Sequence, residues 1–329
     1  MFEDDLDLAS LRLALQRSLT YLRRISPQQR LPFGDRRIAA RAVRDTLIEF
    51  EKLLMRISTP AALQHALGDK FEMYQAAGRD GRGRVLFTGY YNIRVEGRLQ
   101  PSADFAYPIY KPPPDLRSPY LTRREIDVEG QLHGRHLELA WLRDPVEGFF
   151  LHVQGSGQIQ LADGKILPVG YAASNGHPYR SIGRLLVKEG RLDGATLSLQ
   201  RLRRYFRQHP AERSRVLNMN PRYIFFRRTP RDPRGRLQVA LVPGRSIATD
   251  AQLFPAAGLA LIQTQKPVFN AQGEIVAWRP FSRFVFNHDT GSALHGAGRV
   301  DLFWGSGAIA EMAAGHMKHP GRLFFLLKR

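Results

Sequence analysis

The sequence predicts a mainly β protein of two domains with a helical N-terminal part, and three observations predict it. Leucines recur at helical spacing only ahead of a glycine-rich segment, Gly78–Arg84. From Val85 onward the apolar residues fall into strand-like runs punctuated by Gly, Pro, Asn and Asp. The length, 329 residues, suits two ordinary domains or one domain with a large insertion.

The elements are expected in this order. Leu8, Leu11, Leu15, Leu19 and Leu22 fall on one helical face, with Asp4, Asp5 and Asp7 suited to the first turn. Ala39, Val43, Leu47, Phe50 and Leu54 repeat the stripe in a second helix. A third opens at Thr59, an N-cap followed by Pro60 at the first helical position. Gly78–Arg84 (GRDGRGR) reads as a flexible loop and lacks the strand and helix context of a phosphate-binding loop. Strands then follow in VLFTGYYNIRVEG and FAYPIYKPPP, where Pro112, Pro113 and Pro114 stop any regular element. His136–Leu142 and Gly148–Val153 are expected as strands meeting at a turn, Arg143-Asp144-Pro145. After QGSGQIQL and a turn at Asp163-Gly164, helices are expected at Ile182–Glu189, Leu197–His209 and Ala211–Asn218. Pro221–Phe226 returns to strand, and a last β-rich region runs from Leu237 to the end with one helix at Ala308–Met317.

Apolar content of 43% and charged content of 24% are those of a globular protein, and no stretch has the apolar length of a membrane span. The absence of cysteine excludes disulfides, thiolate metal sites and cysteine nucleophiles. The formal net charge of +19, mostly from arginine, attracts polyanions: nucleic acid, anionic membrane or an acidic polymer such as a cell wall with free carboxylates. No zinc-finger spacing or RNA-recognition signature accompanies that charge. Met1-Phe2-Glu3-Asp4-Asp5 is no secretory signal, so either the chain stays in the cytoplasm or a signal has been removed.

The chemistry centres on Phe286–Gly305. Asp289 follows a strand-like run, a small glycine-rich turn comes next, and Asp301 precedes an aromatic pair, Phe303 and Trp304, offering faces for sugars or bases. Asp289-Thr290-Gly291-Ser292 has the local form of an aspartic protease, but those enzymes need two such aspartates and no second DTG or DSG occurs. His133 and His136 lack a metal-binding helix motif, and Ser156 lacks a nucleophile elbow. The glycines around Ser156 are read as letting a polymer lie close to the backbone. Tyr90, Tyr91, Tyr107 and Tyr110 are either sugar platforms or sheet-face residues. Carboxylate chemistry on a glycosidic bond remains, with Asp250, Asp289 and Asp301 as candidates.

The motifs FTGYY (Phe87–Tyr91), YPIY (Tyr107–Tyr110), FFLHVQGSGQI (Phe149–Ile159), GYAASNGHPYRSIG (Gly170–Gly183), NPRYIFF (Asn220–Phe226), GRSIATD (Gly244–Asp250), HDTGSAL (His288–Leu294) and VDLFWG (Val300–Gly305) run in order along most of the chain. On these motifs the chain resembles the MltA-type lytic murein transglycosylases, outer-membrane-associated enzymes that cleave peptidoglycan. The resemblance implies a double-psi β-barrel domain with three aspartates, an inserted smaller β-barrel domain, and a groove between them. The boundaries expected are 1–92 and 237–329 for the first domain and 93–236 for the insert.

In that family the DTGG-like aspartate, here Asp289, is the single catalytic acid. The resemblance implies that it protonates the oxygen between N-acetylmuramic acid and N-acetylglucosamine, then as a base takes the proton of the muramoyl 6-hydroxyl as a 1,6-anhydro ring closes. Its pKa must then be raised, by burial or by neighbouring carboxylates such as Asp301. Asp301 is expected in a supporting role and Asp250 in a mainly structural one. Thr88, Tyr90, Gln154, Ser156, Gly157, Asn175 and Tyr179 match positions that hold the glycan. Neither metal nor cofactor is expected, since this chemistry needs neither. The implied partner is peptidoglycan, drawn by the +19 charge to carboxylate-bearing peptide stems, with a monomeric protein in the periplasm, associated with the outer membrane, and no nucleic acid. Ser292, His288 and His295 depart from the family's usual glycine, glutamine and lysine, and the histidines are expected to alter the pH profile. The alternatives are a non-catalytic wall-binding protein, a hydrolytic glycosidase, and a nucleic-acid-binding protein.

Overall fold

The computed structural model describes residues 4–56, 60–194, 197–229, 232–291 and 294–329. In chain order the elements are α1 (Leu8–Leu22), β1 (Arg30–Phe33), β2 (Arg36–Ala39), α2 (Ala40–Arg56), α3 (Pro60–Lys70), β3 (Phe71–Gln75), β4 (Val85–Arg98), β5 (Tyr107–Tyr110), α4 (Arg123–Asp127), β6 (Glu138–Leu142), α5 (Pro145–Gln154), β7 (Ser156–Leu161), β8 (Ile166–Ser174), α6 (Ile182–Lys188), α7 (Leu199–Gln208), α8 (Glu212–Leu217), β9 (Ile224–Arg228), β10 (Ser246–Ala248), β11 (Leu259–Phe269), β12 (Ile275–Asp289), β13 (Arg299–Ser306), α9 (Ala308–His316) and β14 (Lys318–Lys328). The protein is mainly β with N-terminal helices. Two compact units divide it: Met1–Tyr91 with Arg234–Arg329, and Asn92–Pro233.

In the first unit β11 is antiparallel to both β12 and β14, while β10 runs parallel to β12 and antiparallel to β13. Side chains of a strand alternate between faces, and here both faces are buried. Leu259, Leu261, Phe284 and Phe286 pack with Leu15, Leu19, Leu47 and Phe50 of the helices. Ala260, Ile262 and Val285 point the other way, into a second cluster with Val85, Phe87, Ile247, Val300 and Leu302. Two-sided burial is why these strands read as continuous apolar runs.

Helix α1 forms with its stripe shifted: Leu11, Ala14, Leu15, Ser18, Leu19 and Leu22 are buried, and Leu8 is exposed. Asp7 is the N-cap, accepting from the Ser10 amide at 2.7 Å. Asp4 and Asp5 do not serve the helix dipole. They lie outside the helix and reach back to β12 and the β10 turn: Asp4 takes two bonds from buried Arg245, at 2.6 and 2.8 Å, and Asp5 takes two from Arg283, at 2.7 and 2.8 Å. In α2 the stripe holds from Val43 onward, but Ala39 belongs to β2. The cap expected at Thr59 lies outside the described residues.

The loop 78–84 is internally bonded and not slack. Asp80 Oδ1 accepts from the amides of Arg82 (2.9 Å) and Arg84 (3.3 Å), and Gly83 N–H donates to Ala77 O at 2.7 Å. A Cβ on Gly78, which sits at φ +75°, would lie 2.5 Å from the Arg84 backbone, so only glycine closes this turn.

The second unit carries a parallel pair, β4 with β7, extended antiparallel through β8 to β9. The expected strand Gly148–Val153 is helix α5 instead. Asp144 caps it through the Val146 amide at 2.8 Å, Pro145 opens it, and Gly155 ends it at φ +74°. An Asp-Pro start and a glycine stop are helix punctuation, and the turn reading of Asp144-Pro145 missed it. Buried Arg123 lies between the rings of Phe149 and Tyr223, 4.9 and 5.2 Å from their centroids, and pairs with Asp127 at 3.1 Å.

Candidate functional site

Strand β10 organises the three aspartates. Ala248 is the register partner of Asp289 on β12 and of Asp301 on β13, so the two carboxylates flank one short strand. Two strand spacings separate their Cα atoms, roughly 10 Å. Asp250 follows two residues after Ala248 and is buried.

A β-bulge aims Asp289. Ile247 pairs with Asn287 but Ala248 pairs with Asp289, which leaves His288 as the extra residue. The slip turns Asp289 to the side of Ala248 and Asp301, away from the apolar cluster holding Ile247, Val300 and Leu302. His288 is fully buried between Ser18 Oγ, 2.9 Å from Nε2, and Ser246 Oγ, 2.8 Å from Nδ1. Burial, with the charge of Arg17, pushes its pKa down to about 3. The expectation that His288 titrates near the working range therefore fails: its imidazole stays neutral there. His295 is exposed, and Ser292 lies outside the described residues.

The three carboxylates are committed differently. Asp250 accepts the Gln252 amide at 2.8 Å on one oxygen and the Gly296 amide at 2.7 Å on the other. Asp301 accepts the Thr88 hydroxyl and pairs with Arg299, whose Nε is 3.2 Å from Oδ1. Asp289 takes two amides on one oxygen, Arg236 N–H at 2.8 Å and Thr290 N–H at 2.9 Å. Its other oxygen has no full hydrogen bond among the described residues. Burial raises the Asp289 pKa, against the two amides, Tyr90 and Arg236, which lower it. Asp301, held by Arg299, is not what raises it.

Strand β4 supplies the wall facing these groups. Thr88 and Tyr90, two residues apart, share a face; Gly89 between them turns to α9 and Trp304, where a Cβ would meet Ala314 Cα at 2.6 Å. The Tyr90 hydroxyl is shielded from solvent and faces Asp289, close enough to interact but without full hydrogen-bond geometry. Burial first, then the charges of Asp289 and Asp301, push its pKa well up, so it stays a neutral phenol. Its ring rests on Phe303, centroids 5.1 Å apart. Phe303 is buried and so is not the open platform expected, while half-buried Trp304 donates from Nε1 to Met317 Sδ at 3.3 Å.

The segment 234–238 is a part of this site that sequence reasoning missed. The Arg236 amide holds Asp289, and a Cβ on Gly235 would lie 2.6 Å from His288 O and 2.9 Å from Asp289 Cγ. The signal was slight: one glycine between two arginines.

The remaining predicted residues are in the second unit. Gln154, at the end of α5, and Ser156, at the start of β7, are exposed, as is Tyr179. Gly157 is buried and lies against Ile93 and Leu151, with a Cβ only 2.5 Å from Leu151 Cδ1, so packing alone already requires the glycine. Asn175 is fully buried, donating to Leu121 O (2.8 Å) and Pro221 O (2.9 Å) and accepting from the Tyr223 amide (2.8 Å). Its amide is consumed internally, which corrects the glycan-holding role expected of it. Tyr91 and Tyr110 are buried, so of the four tyrosines weighed as platforms Tyr107 alone is exposed.

Comparison with known proteins follows the same division. The MltA specific insert domain matches residues 86–227 and the 3D domain matches residues 245–327. Membrane-bound lytic murein transglycosylase A of Escherichia coli K12 is 34% identical over 262 residues, 78% of this chain and 69% of that protein. A membrane-bound lytic murein transglycosylase from Agrobacterium tumefaciens superposes with a TM-score of 0.75 at 31% identity, covering 98% of this chain and 93% of that one. MltA of E. coli with bound chitohexaose gives a TM-score of 0.75 at 27% identity, covering 96% and 89%. The double similarity, in sequence and in fold, shows that this chain belongs to the MltA family of lytic murein transglycosylases.

Proposed function

We propose that this protein cleaves the β-1,4 bond between N-acetylmuramic acid and N-acetylglucosamine in peptidoglycan, with Asp289 acting first as acid and then as base. One observation carries the reading: of the three aspartates, Asp289 alone keeps a carboxyl oxygen without a full hydrogen bond among the described residues, and burial raises its pKa. A carboxyl that keeps its proton toward higher pH is fitted to protonate a leaving oxygen. The glycosidic oxygen takes the Asp289 proton as its bond to C1 breaks. The muramoyl 6-hydroxyl oxygen then bonds to C1 and gives its proton to the Asp289 carboxylate, so the acid is restored and no water is consumed. Among the described residues Asp250 and Asp301 are both already bound, which supports the 6-hydroxyl over a water activated by a second carboxylate.

Thr88 and Arg299 fix Asp301, which supports the floor beside Asp289, while the buried neutral Tyr90 phenol backs the Asp289 carboxyl. On the second unit the exposed Gln154, Ser156 and Tyr179 are the glycan contacts. The chitohexaose bound by the E. coli relative supports a glycan ligand. We assign Met1–Tyr91 with Arg234–Arg329 to the chemistry and Asn92–Pro233 to an inserted glycan-holding domain, so the segment 234–236, expected in the insert, goes with the chemistry. We take the protein to work as a monomer in the periplasm at the outer membrane; the membrane-bound name of its relatives supports the envelope location alone. Among the described residues no helix is long and apolar enough to cross a membrane.

The test is mass spectrometry of muropeptides released from purified sacculi, with Asp289→Asn alongside. Anhydro products, about one water lighter than hydrolytic ones, are expected and should disappear in the variant. Reducing-end products would replace the 6-hydroxyl by water. Tight binding without release would make the protein a wall-binding module.

A further inference from the structure

The arginine-rich loop 78–84 takes no part in the site around Asp289. Its three glycines at positive φ and the Asp80 carboxylate, spent on the Arg82 and Arg84 amides, fix the loop's path. Arg79, Arg82 and Arg84 are all exposed, and none is in an ion pair among the described residues. The loop is seated on the strand that bears Asp301. A Cβ on Gly298 would meet the Arg79 backbone at 2.8 Å, and the Leu86 amide donates to Gly298 O at 2.9 Å. Gly298 precedes Asp301 by three residues, roughly 10 Å of extended chain. An internally bonded turn thus presents three exposed guanidinium groups near the strand of Asp301, with Arg84 also in the field of Asp80, and a planar guanidinium is the side chain that best grips a carboxylate.

We propose that loop 78–84 is a docking site for carboxylates of the substrate, namely those of the peptide stems on the glycan strand being cut. The inference rests on the murein reading of the site and adds the part of the substrate that the loop selects. A glycan without carboxylates has no group for these arginines. An anionic stem extending from the sugar bound at Asp289 does. The internal bonding of the loop matters here, because cations held in place lose less freedom on binding than cations on a slack segment.

The experiment compares Arg79→Gln/Arg82→Gln/Arg84→Gln with the unmodified protein on stem-bearing strands and on the same strands with their stem carboxylates amidated. The ratio of kcat/KM for the two substrates should fall about tenfold in the variant, mainly through KM, and the fall should vanish at high salt. An unchanged ratio at low salt overturns the proposal. To separate this outcome from failure of the murein reading, binding is measured without turnover. Asp289→Asn protein, with and without the loop substitutions, is titrated with sacculi, with sacculi whose carboxylates are amidated, and with phosphatidylglycerol vesicles. Weaker binding to native sacculi alone supports the loop's role even if no anhydro product ever appears. Equal binding to both, or an effect seen only on phosphatidylglycerol vesicles, overturns it and, in the second case, assigns the loop to a lipid surface.

Discussion

At the scale of single residues, Asp289 sets activity against stability. Its carboxyl is held above the usual aspartate range by burial, against two amides, Tyr90 and Arg236 that favour the anion. Turnover that requires the protonated form should decline as pH rises through this raised pKa. Stability follows the same direction: the folded state binds the proton more tightly than the unfolded one, so this contribution is full below the unfolded value and lost as pH rises through the folded value. Asp289→Asn keeps an oxygen for the Arg236 and Thr290 amides but has no charge to bury. The variant should therefore melt at a higher temperature than the parent at pH 7, with the gain disappearing by about pH 3, where both states of the parent are protonated. Calorimetry at the two pH values checks this. A lower Tm at pH 7 would mean that the ionised carboxylate is stabilised by its surroundings, contrary to the role of acid.

The turn 234–238 shows the same dependence at the scale of an element. Gly235 is where two backbone segments come closest to Asp289, with His288 O only 2.6 Å from where a Cβ would stand. Gly235→Ala must push the turn outward and take the Arg236 amide with it. Activity should fall tenfold or more, with a stability cost of about 1–3 kcal/mol. Gly68→Ala, in α3 with nothing within 4 Å, is the control and should stabilise slightly if it acts at all. Equal activity losses in both would show that the turn has no special hold on Asp289. Elements of this kind mark the limit of what the sequence discloses. The leucine stripes, strand β12 and the position of Asp289 at its end were legible because periodicity and turn residues are local. Helix α5 was written in Asp144-Pro145 and Gly155 but was overruled by the apolar run between them. The bulge at His288 left no mark at all, since a register slip belongs to a pair of strands and is not visible in either one. The same holds for Asn175, whose partners stand 46 and 54 residues away.

Across the whole molecule, buried titratable groups decide how the protein meets acid. Ion pairs from Asp5 to Arg283 and Lys266 tie the start of the chain to the sheet, and they outweigh the burial that would otherwise raise the Asp5 pKa. A lowered carboxylate pKa gives stability that is lost only as pH falls below about 3.8. His288 acts earlier. Its folded pKa of about 3 lies below the ordinary value of 6.5, so its contribution is complete above pH 6.5 and drains away as pH falls toward 3. Over the two units from pH 6.5 to 4.5 the unfolded chain binds a proton that the native protein refuses, worth roughly 2–3 kcal/mol. Glutamine can bridge Ser18 and Ser246 without titrating, so His288→Gln should flatten the fall in Tm across that window. The parent and variant curves should run parallel below pH 3. His152, also buried and also held well below its ordinary pKa, remains in both proteins and leaves a residual slope. Should the variant keep the full slope of the parent, the acid response would belong to His152, and the serine–histidine–serine bridge between α1 and β10 would tolerate the charged imidazole.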